Sequence, residues 1–507
     1  MDTLDYTILG IYFGVLLVMS LFGLRKYYYI YLYRKNRNVY FEPAARFEEL
    51  PVVTVQLPMY NEKYVGARLL ESVCQFDYPK DRLHIQVLDD STDDTVEIMH
   101  KATLFWRERG FDVDYVHRTD RTGFKAGALE NGNRTAKGGI VAIFDADFLP
   151  PSDFLQKTVH YFTDPRVAIV QTRWGHINAR QSLLTRVQAI FLDGHFMMES
   201  FPRSRGGKFV NFNGTAGLWR KCAIDDAGGW QHDTITEDLD LSLRAQLKGW
   251  KYVYLPEIET PAELPAEMNA YKNQQNRWAK GSTQVCLKLL PTILRAPIPR
   301  HVKTEAFFHL ASNFVYPLMT VLALLLLPAM IVRANAGEHL KYLMDVPIFL
   351  ASTLSVVLFY VESQKALYRD WKKRSLLLPF LMAVGIGISV TNGKAVIEAI
   401  FGYRNEFVRT PKYSLSENGG RDWRRRVRTY RGKIGVWPLV EIGLGAFFLY
   451  VLGYSLSIGC WMVLPFLTLF IVGYFYTGFG SLLHGLLKFD FVNVQWRRIR
   501  SRMGEEA

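Results

Sequence analysis

At 507 residues the chain is too long for one ordinary domain. Its 49% hydrophobic and 14% aromatic residues beside 21% charged ones exclude both a purely soluble protein and a bare bundle of membrane helices, and fit a mixture of the two. The net charge of +13 is clustered beside apolar segments (Arg25, Lys26, Arg34, Lys35 and Arg37, then 372–374, 424–428 and 497–502), a positive-inside pattern that argues against nucleic acid, and four scattered cysteines without a CxxC pair give neither a zinc site nor a disulfide framework.

The first element is an uncharged stretch, 6–24, of roughly the length that crosses a bilayer, followed at once by Arg25 and Lys26. Basic residues after the apolar run, not before it, read as a signal anchor with the N-terminus outside. Residues 1–40 are therefore a transmembrane anchor. Residues 41–300, where nothing is apolar enough to span, form a soluble domain on the cytoplasmic side.

Within that domain, short β-branched or apolar runs at 52–57, 83–88, 113–116 and 140–144 alternate with segments long enough for helices, which predicts an α/β domain on a mainly parallel sheet. Such sheets bind ligands at the carboxyl ends of their strands, and here those ends are acidic. The first run ends in Pro58, Met59, Tyr60, Asn61 and Glu62. The second ends in Asp89, Asp90, Ser91, Thr92, Asp93 and Asp94, which either cap the next helix or offer acceptors to a nucleobase or ribose. Lys125, in Gly123-Phe124-Lys125-Ala126-Gly127, either counters phosphate charge where glycine lets the backbone come close or is a solvated loop lysine. Asp145 and Asp147 stand two apart at a strand end, so both side chains point the same way. They can hold one Mg²⁺ or Mn²⁺ through hard oxygen ligands, the alternative being a plain acidic turn.

Further along, Thr236, Glu237 and Asp238 precede an apolar stripe at Leu239, Leu243 and Leu247 that stops at Gly249. That is a capped helix, and a carboxylate at its N-terminus is also what deprotonating a sugar hydroxyl requires. Gln274, Gln275, Asn276, Arg277 and Trp278 come just before the next apolar window. They offer either a phosphate-pairing arginine and an aromatic platform for a sugar, or ordinary interfacial anchoring.

Apolar windows follow at 306–332, 343–361, 375–392, 436–459 and 460–484. If all crossed, the basic loop 404–433 would lie outside, against the charge rule. The stretch 375–392, with Pro379, Gly385 and Gly387, is therefore expected to lie in the interface or re-enter, leaving five crossings with the loop and C-terminus inside. This divides the remainder into 301–400 (two transmembrane helices plus the interfacial or re-entrant segment), 401–435 (a cytoplasmic basic loop) and 436–507 (two transmembrane helices and a basic tail).

In order, Asp89-Asp90-Ser91, Asp145-Ala146-Asp147, Thr236-Glu237-Asp238 and Gln274-Gln275-Asn276-Arg277-Trp278 resemble the D, DxD, TED and QxxRW signature of processive family-2 glycosyltransferases, the cellulose-synthase superfamily. Phe212-Asn213-Gly214-Thr215-Ala216-Gly217 and Ala227-Gly228-Gly229-Trp230 are similar in wording to the plant cellulose-synthase-like A and C proteins, which make mannan or glucomannan and β-1,4-glucan; residues 270–275 read more like the C group. Phe407-Val408-Arg409-Thr410-Pro411-Lys412 resembles the FxVTxK gating loop, with Arg409 in place of the usual valine.

The resemblance implies a GT-A, Rossmann-like domain inserted between transmembrane helices of a bacterial inner membrane or a Golgi-type membrane. It implies inverting, processive transfer of a hexose from a nucleotide sugar, UDP-glucose ahead of GDP-mannose, to a β-linked polysaccharide that leaves through the membrane. By the same resemblance the donor lies near Pro58, Tyr60, Glu62, Asp89, Asp90, Lys125, Asp145, Gln274, Arg277, Thr410 and Lys412. The cation sits at Asp145 and Asp147. Asp238, beside Glu237, acts as base, and the acceptor meets Trp278, Asn213, Gly214 and Thr215. Two rival functions remain open: single-sugar transfer to a lipid such as diacylglycerol and, more distantly, a transporter whose acidic clusters bind ions.

Overall fold

The computed structural model describes residues 2–337, 345–403, 410, 412–414 and 435–503, without the side chains of 345–349 and 484–503. Phe407, Val408, Arg409, Pro411 and the basic run 424–428 lie outside the described residues, as do the side chains of 497–502.

A seven-stranded sheet in the order β3-β2-β1-β4-β6-β5-β7 forms the centre of the soluble domain. Its strands are β1 (Val53–Met59), β2 (Leu83–Asp89), β3 (Asp112–His117), β4 (Ile140–Ile143), β5 (Val167–His176), β6 (Gly217–Arg220) and β7 (Lys251–Ala262). β1 and β2 are buried along their whole length, and the polar residues that alternate with their apolar ones are paired across the strands, Thr54 Oγ1 with His84 Nδ1 at 3.1 Å and Gln56 Nε2 donating to Gln86 Oε1 at 3.0 Å. Alternate residues feed two cores: Val53, Val55, Leu57 and Met59 face one layer, Val141 and Ile143 the other.

The sheet is mixed. β1 pairs in parallel with β2 and β4, β2 with β3, and β5 with β7, but β6 runs antiparallel between β4 and β5. β5, β6 and β7 were not among the four predicted runs, and the four-residue β6 is too short for a period-2 pattern to register.

Among the described residues, four helical segments are long and apolar enough to cross a membrane: Thr3–Asn36, Arg300–Ala336, Trp437–Ser457 and Trp461–Leu483. A pair bent by 43°, Trp371–Gly387 and Ser389–Ile400, makes a fifth if it counts as one broken span. Asp345–Leu367 is a further 23-residue helix. The first helix runs past the predicted stretch, through Arg25 and Lys26 to Asn36. Leucines such as Leu17, Leu324 and Leu439 stand more than half exposed on these helices, as lipid-facing residues do.

The soluble domain is tied to this frame by polar contacts. Lys26 Nζ, on the first helix, lies 2.7 Å from Glu199 Oε1, while the neighbouring Arg25 pairs with Glu305 and so joins that helix to the segment Arg300–Ala336. The helix Met268–Arg295, which carries Gln274, Arg277 and Trp278, holds Glu441 through Lys272, Glu398 through Lys280 (3.1 Å) and the Thr391 carbonyl through Asn276 Nδ2 (2.9 Å).

Candidate active site

The carboxyl ends of β1, β2 and β4 open into a cavity of about 1060 Å³, closed on its far side by the 236–238 turn and the helix Met268–Arg295. Pro58, Tyr60, Glu62, Asp90, Lys125, Asp145, Asp147, Asn213, Gly214, Glu237, Asp238, Gln274, Arg277, Trp278, Thr410 and Lys412 all line it. Residues from eight separate stretches of sequence thus meet around one cavity.

Two of the singled-out residues do not line the cavity. Asp89 is fully buried: it accepts the Ser91 amide at 2.9 Å and the Tyr115 hydroxyl at 2.7 Å, so it holds the turn after β2. Thr215 lies beneath the surface, its Oγ1 accepting the Asp145 amide at 2.8 Å and setting the pose of that aspartate. Asp90 does face the cavity, but Arg118 grips both its oxygens, at 2.8 and 2.5 Å.

Each aspartate of the DxD pair has a lysine. Lys125 Nζ lies 2.5 Å from Asp145 Oδ1 and donates to the Gly214 carbonyl at 2.9 Å. Lys412 Nζ lies 2.5 Å from Asp147 Oδ2 and donates to the Glu263 carbonyl at 2.8 Å. The chain after the bent helix pair therefore comes back into the cavity, where Thr410 Oγ1 also accepts from Arg277 Nη2 at 2.9 Å. The lysines engage Asp145 Oδ1 and Asp147 Oδ2, leaving the second oxygen of each carboxylate clear of them. Two hard donors on one wall fit a divalent cation that takes its other ligands from phosphate and water. Among the described residues the group of three possible metal ligands, His84, Asp112 and Asp114, lies at the opposite ends of β2 and β3 and not in this cavity.

Asp238 is enclosed. Burial, and then the Glu237 carboxylate, raise its pKa to about 7 against the pull of Lys125. Burial also raises Glu237, with Lys125 opposing. Burial lowers Arg277 to about 10, Glu237 and Asp145 working against it. For Lys125 burial is outweighed by Asp145 and Glu237, and its pKa is raised. A carboxyl near neutrality beside fixed cations is suited to taking a proton next to a departing anion. Gly214, at φ +78°, makes room for it: a Cβ there would sit 2.9 Å from Asp238 Oδ2. If Asp238 acts as base, kcat/KM falls about tenfold per pH unit below about 7, and a pH profile in which Asp238→Glu leaves that limb unmoved would count against it.

Sequence reasoning missed several lining residues. Trp174 lies near the carboxyl end of β5 and Glu263 directly follows β7, neither of which was read as a strand. Arg121, 3.3 Å above the Tyr60 ring, and His232 sit in turns without a periodic signal.

A second cavity, of about 590 Å³, shares Trp174, Leu192, Asn213, Thr236, Asp238 and Trp278 with the first. It runs on among the membrane helices past Leu16, Phe22, Tyr316, Thr353, Gly385 and Phe470.

The family model described as "Glycosyltransferase like family 2" matches residues 51–281. A rice protein (Oryza sativa subsp. japonica), "Probable glucomannan 4-beta-mannosyltransferase 6", is 46% identical over 253 residues, covering 48% of this chain and 44% of its own length. Glucomannan 4-beta-mannosyltransferase 2 of Arabidopsis thaliana is 40% identical over 295 residues, covering 56% and 54%. The chain thus spans about half the length of the curated relatives it matches. Among solved structures, a mannosyltransferase of Pyrobaculum calidifontis, PcManGT, in complex with GDP-Man and Mn²⁺, superposes with a TM-score of 0.51 at 21% identity, over 79% of this chain and 99% of that one; at this identity the likeness is one of fold. The strand-end carboxylates, the sheet order and the match over 51–281 agree: residues 51–281 match glycosyltransferase family 2 and are built on a fold of GT-A type.

Proposed function

We propose that the protein is a membrane-embedded, inverting hexosyltransferase that extends a β-1,4-linked mannan or glucomannan, with GDP-mannose as donor. The names of its relatives specify mannosyl transfer, and mannose as the transferred sugar moves GDP-mannose ahead of UDP-glucose, reversing the order drawn from residues 270–275. The observation that carries the reading is the position of Asp238, which lines both cavities and so can serve a donor held in one and an acceptor held in the other.

In this mechanism the acceptor hydroxyl lies between Asp238 and the anomeric carbon. Asp238 takes its proton as the oxygen attacks, and the bond from the anomeric carbon to the diphosphate breaks on the opposite face, turning an α-linked donor into a β-linked product. Lys125 and Arg277 stand where they can meet the leaving diphosphate's charge. Asp145 and Asp147 would hold a Mg²⁺ or Mn²⁺, which when bound neutralises that same charge.

The second cavity supports export of the polymer through the membrane. Trp174 Nε1, Arg203 Nη1, Asn211 Oδ1, Asn213 Nδ2 and Ser352 Oγ line it, buried without a partner among the described residues, and a hydroxyl-rich chain could satisfy them. The return of Thr410 and Lys412 to the catalytic cavity supports an even number of crossings between 300 and 410, hence five in all, with the catalytic domain cytoplasmic.

Purified protein offered GDP-mannose, UDP-glucose, UDP-GlcNAc and UDP-galactose should make a β-1,4-mannan from the first, fall silent with EDTA and recover with Mg²⁺ or Mn²⁺. Product from UDP-glucose alone, or a product that partitions with lipid, would replace this reading.

A further inference from the structure

The helix Leu183–Gly194 does not stop at its last residue; it passes through one π-helical turn, His195–Ser200, into Phe201–Arg205. Such turns are uncommon and recur at functional sites, because the extra residue rotates the side chains that follow. Here the first residue of the turn is His195. Its Nδ1 lies 3.2 Å from Glu199 Oε2, its Nε2 3.3 Å from Asn213 Oδ1 and 3.4 Å from Ser200 Oγ. Glu199 is itself held by Lys26 at 2.7 Å and by Arg203 at 3.5 Å, so the imidazole rests on a fixed carboxylate.

Asn213 receives a second donor on the same oxygen, Asn211 Nδ2 at 2.5 Å, while its backbone amide is tied to Gln171 Oε1 at 3.0 Å. With Oδ1 held from two sides, Nδ2 can only face away from both, and among the described residues it is buried without a partner, as is Asn211 Oδ1. Asn211 and Asn213 both line the second cavity, and Asn213 also lines the first, beside Asp238. One free amide donor next to one free amide acceptor complements two neighbouring hydroxyls of a sugar.

We propose that His195 is a positioning residue for the acceptor: by holding Asn213 Oδ1 it aims the Asn213 amide at an oxygen of the terminal acceptor sugar. This rests on the acceptor reading of the two cavities given above. With Nδ1–H donated to the Glu199 carboxylate, the role needs a second ring proton, on Nε2, so that His195 donates from both nitrogens.

The test uses the full-length chain in nanodiscs, GDP-mannose as donor and a short β-1,4-manno-oligosaccharide as acceptor, with the two KM values measured separately. His195→Phe keeps the ring and its edge contact with Phe196 but lacks the donor. It should raise the acceptor KM about tenfold, the effect of one lost hydrogen bond that leaves a partner misaligned, with the donor KM within about twofold. His195→Gln, whose amide reaches the same place, should recover most of the loss. In an Asn213→Ala background His195→Phe should cost nothing further, because the two act as a unit. Wild-type transfer with an acceptor KM indifferent to His195→Phe overturns this inference alone. So does a Gln variant no better than Phe, or an equal rise in donor KM, either of which makes the histidine a packing residue. A wild-type chain that binds GDP-mannose but leaves the oligosaccharide unextended overturns the acceptor reading and this inference with it.

Discussion

Asp238→Asn should reduce sugar transfer by about 10²–10⁴-fold while donor affinity stays within about twofold. The amide has the shape of the carboxylate but cannot accept the hydroxyl proton. Replacing it also removes a negative charge beside Glu237, so nothing about the change repels a diphosphate. Because the carboxylate faces both cavities, the loss belongs to kcat and not to either substrate's binding. Equilibrium binding of GDP-mannose and single-turnover transfer, measured on the same preparation, separate the two. Transfer within tenfold of the wild-type rate would remove Asp238 as the base.

The second large effect comes from a residue with no chemistry of its own. Gly281 lies one turn beyond Arg277 on the helix Met268–Arg295, and a Cβ there would sit 2.5 Å from Thr236 Cγ2 and 2.9 Å from the Thr236 amide nitrogen. The helix that carries Gln274, Arg277 and Trp278 therefore rests on the turn that carries Asp238, backbone against backbone. Alanine at 281 favours the helix itself by roughly 1 kcal/mol, so any loss of activity is steric. Gly281→Ala must separate helix and turn, and a displacement on the order of 1 Å can cost about 10²-fold in rate. We expect a fall of that size in kcat, with Thr236→Ser, which deletes the nearest atom, returning part of it. A Gly281→Ala enzyme of normal kcat would mean that the contact is soft.

These residues show where sequence was readable and where it was not. β1, β2 and β4 declared themselves through β-branched and apolar residues, unbroken in β4 and at alternate positions in β1 and β2, and the acids at their ends followed directly. β6 did not: its antiparallel place between β4 and β5 is decided by what surrounds four residues and not by the four themselves. Asp89 and Asp90 are a sharper case. Both are acids at the end of one strand, yet successive side chains point to opposite faces, so one knits the turn and the other meets the cavity. Only the sheet's orientation tells which is which. Asp145 and Asp147, two apart, carried no such ambiguity. Gly281 and His195 were silent in sequence because their meaning lies in a partner, 45 residues upstream at Thr236 in one case and 18 downstream at Asn213 in the other.

The pairing of Arg25 with Glu305 joins residues 280 apart in sequence, and the Ser355 hydroxyl reaches the Gly23 carbonyl across 332. At a synthesis rate of about 5–20 residues per second, a ribosome takes about 14–56 s to deliver Glu305 after Arg25. Throughout that interval the first helix sits in the bilayer without its carboxylate, and the catalytic domain folds while tethered to a scaffold whose other half has yet to be translated.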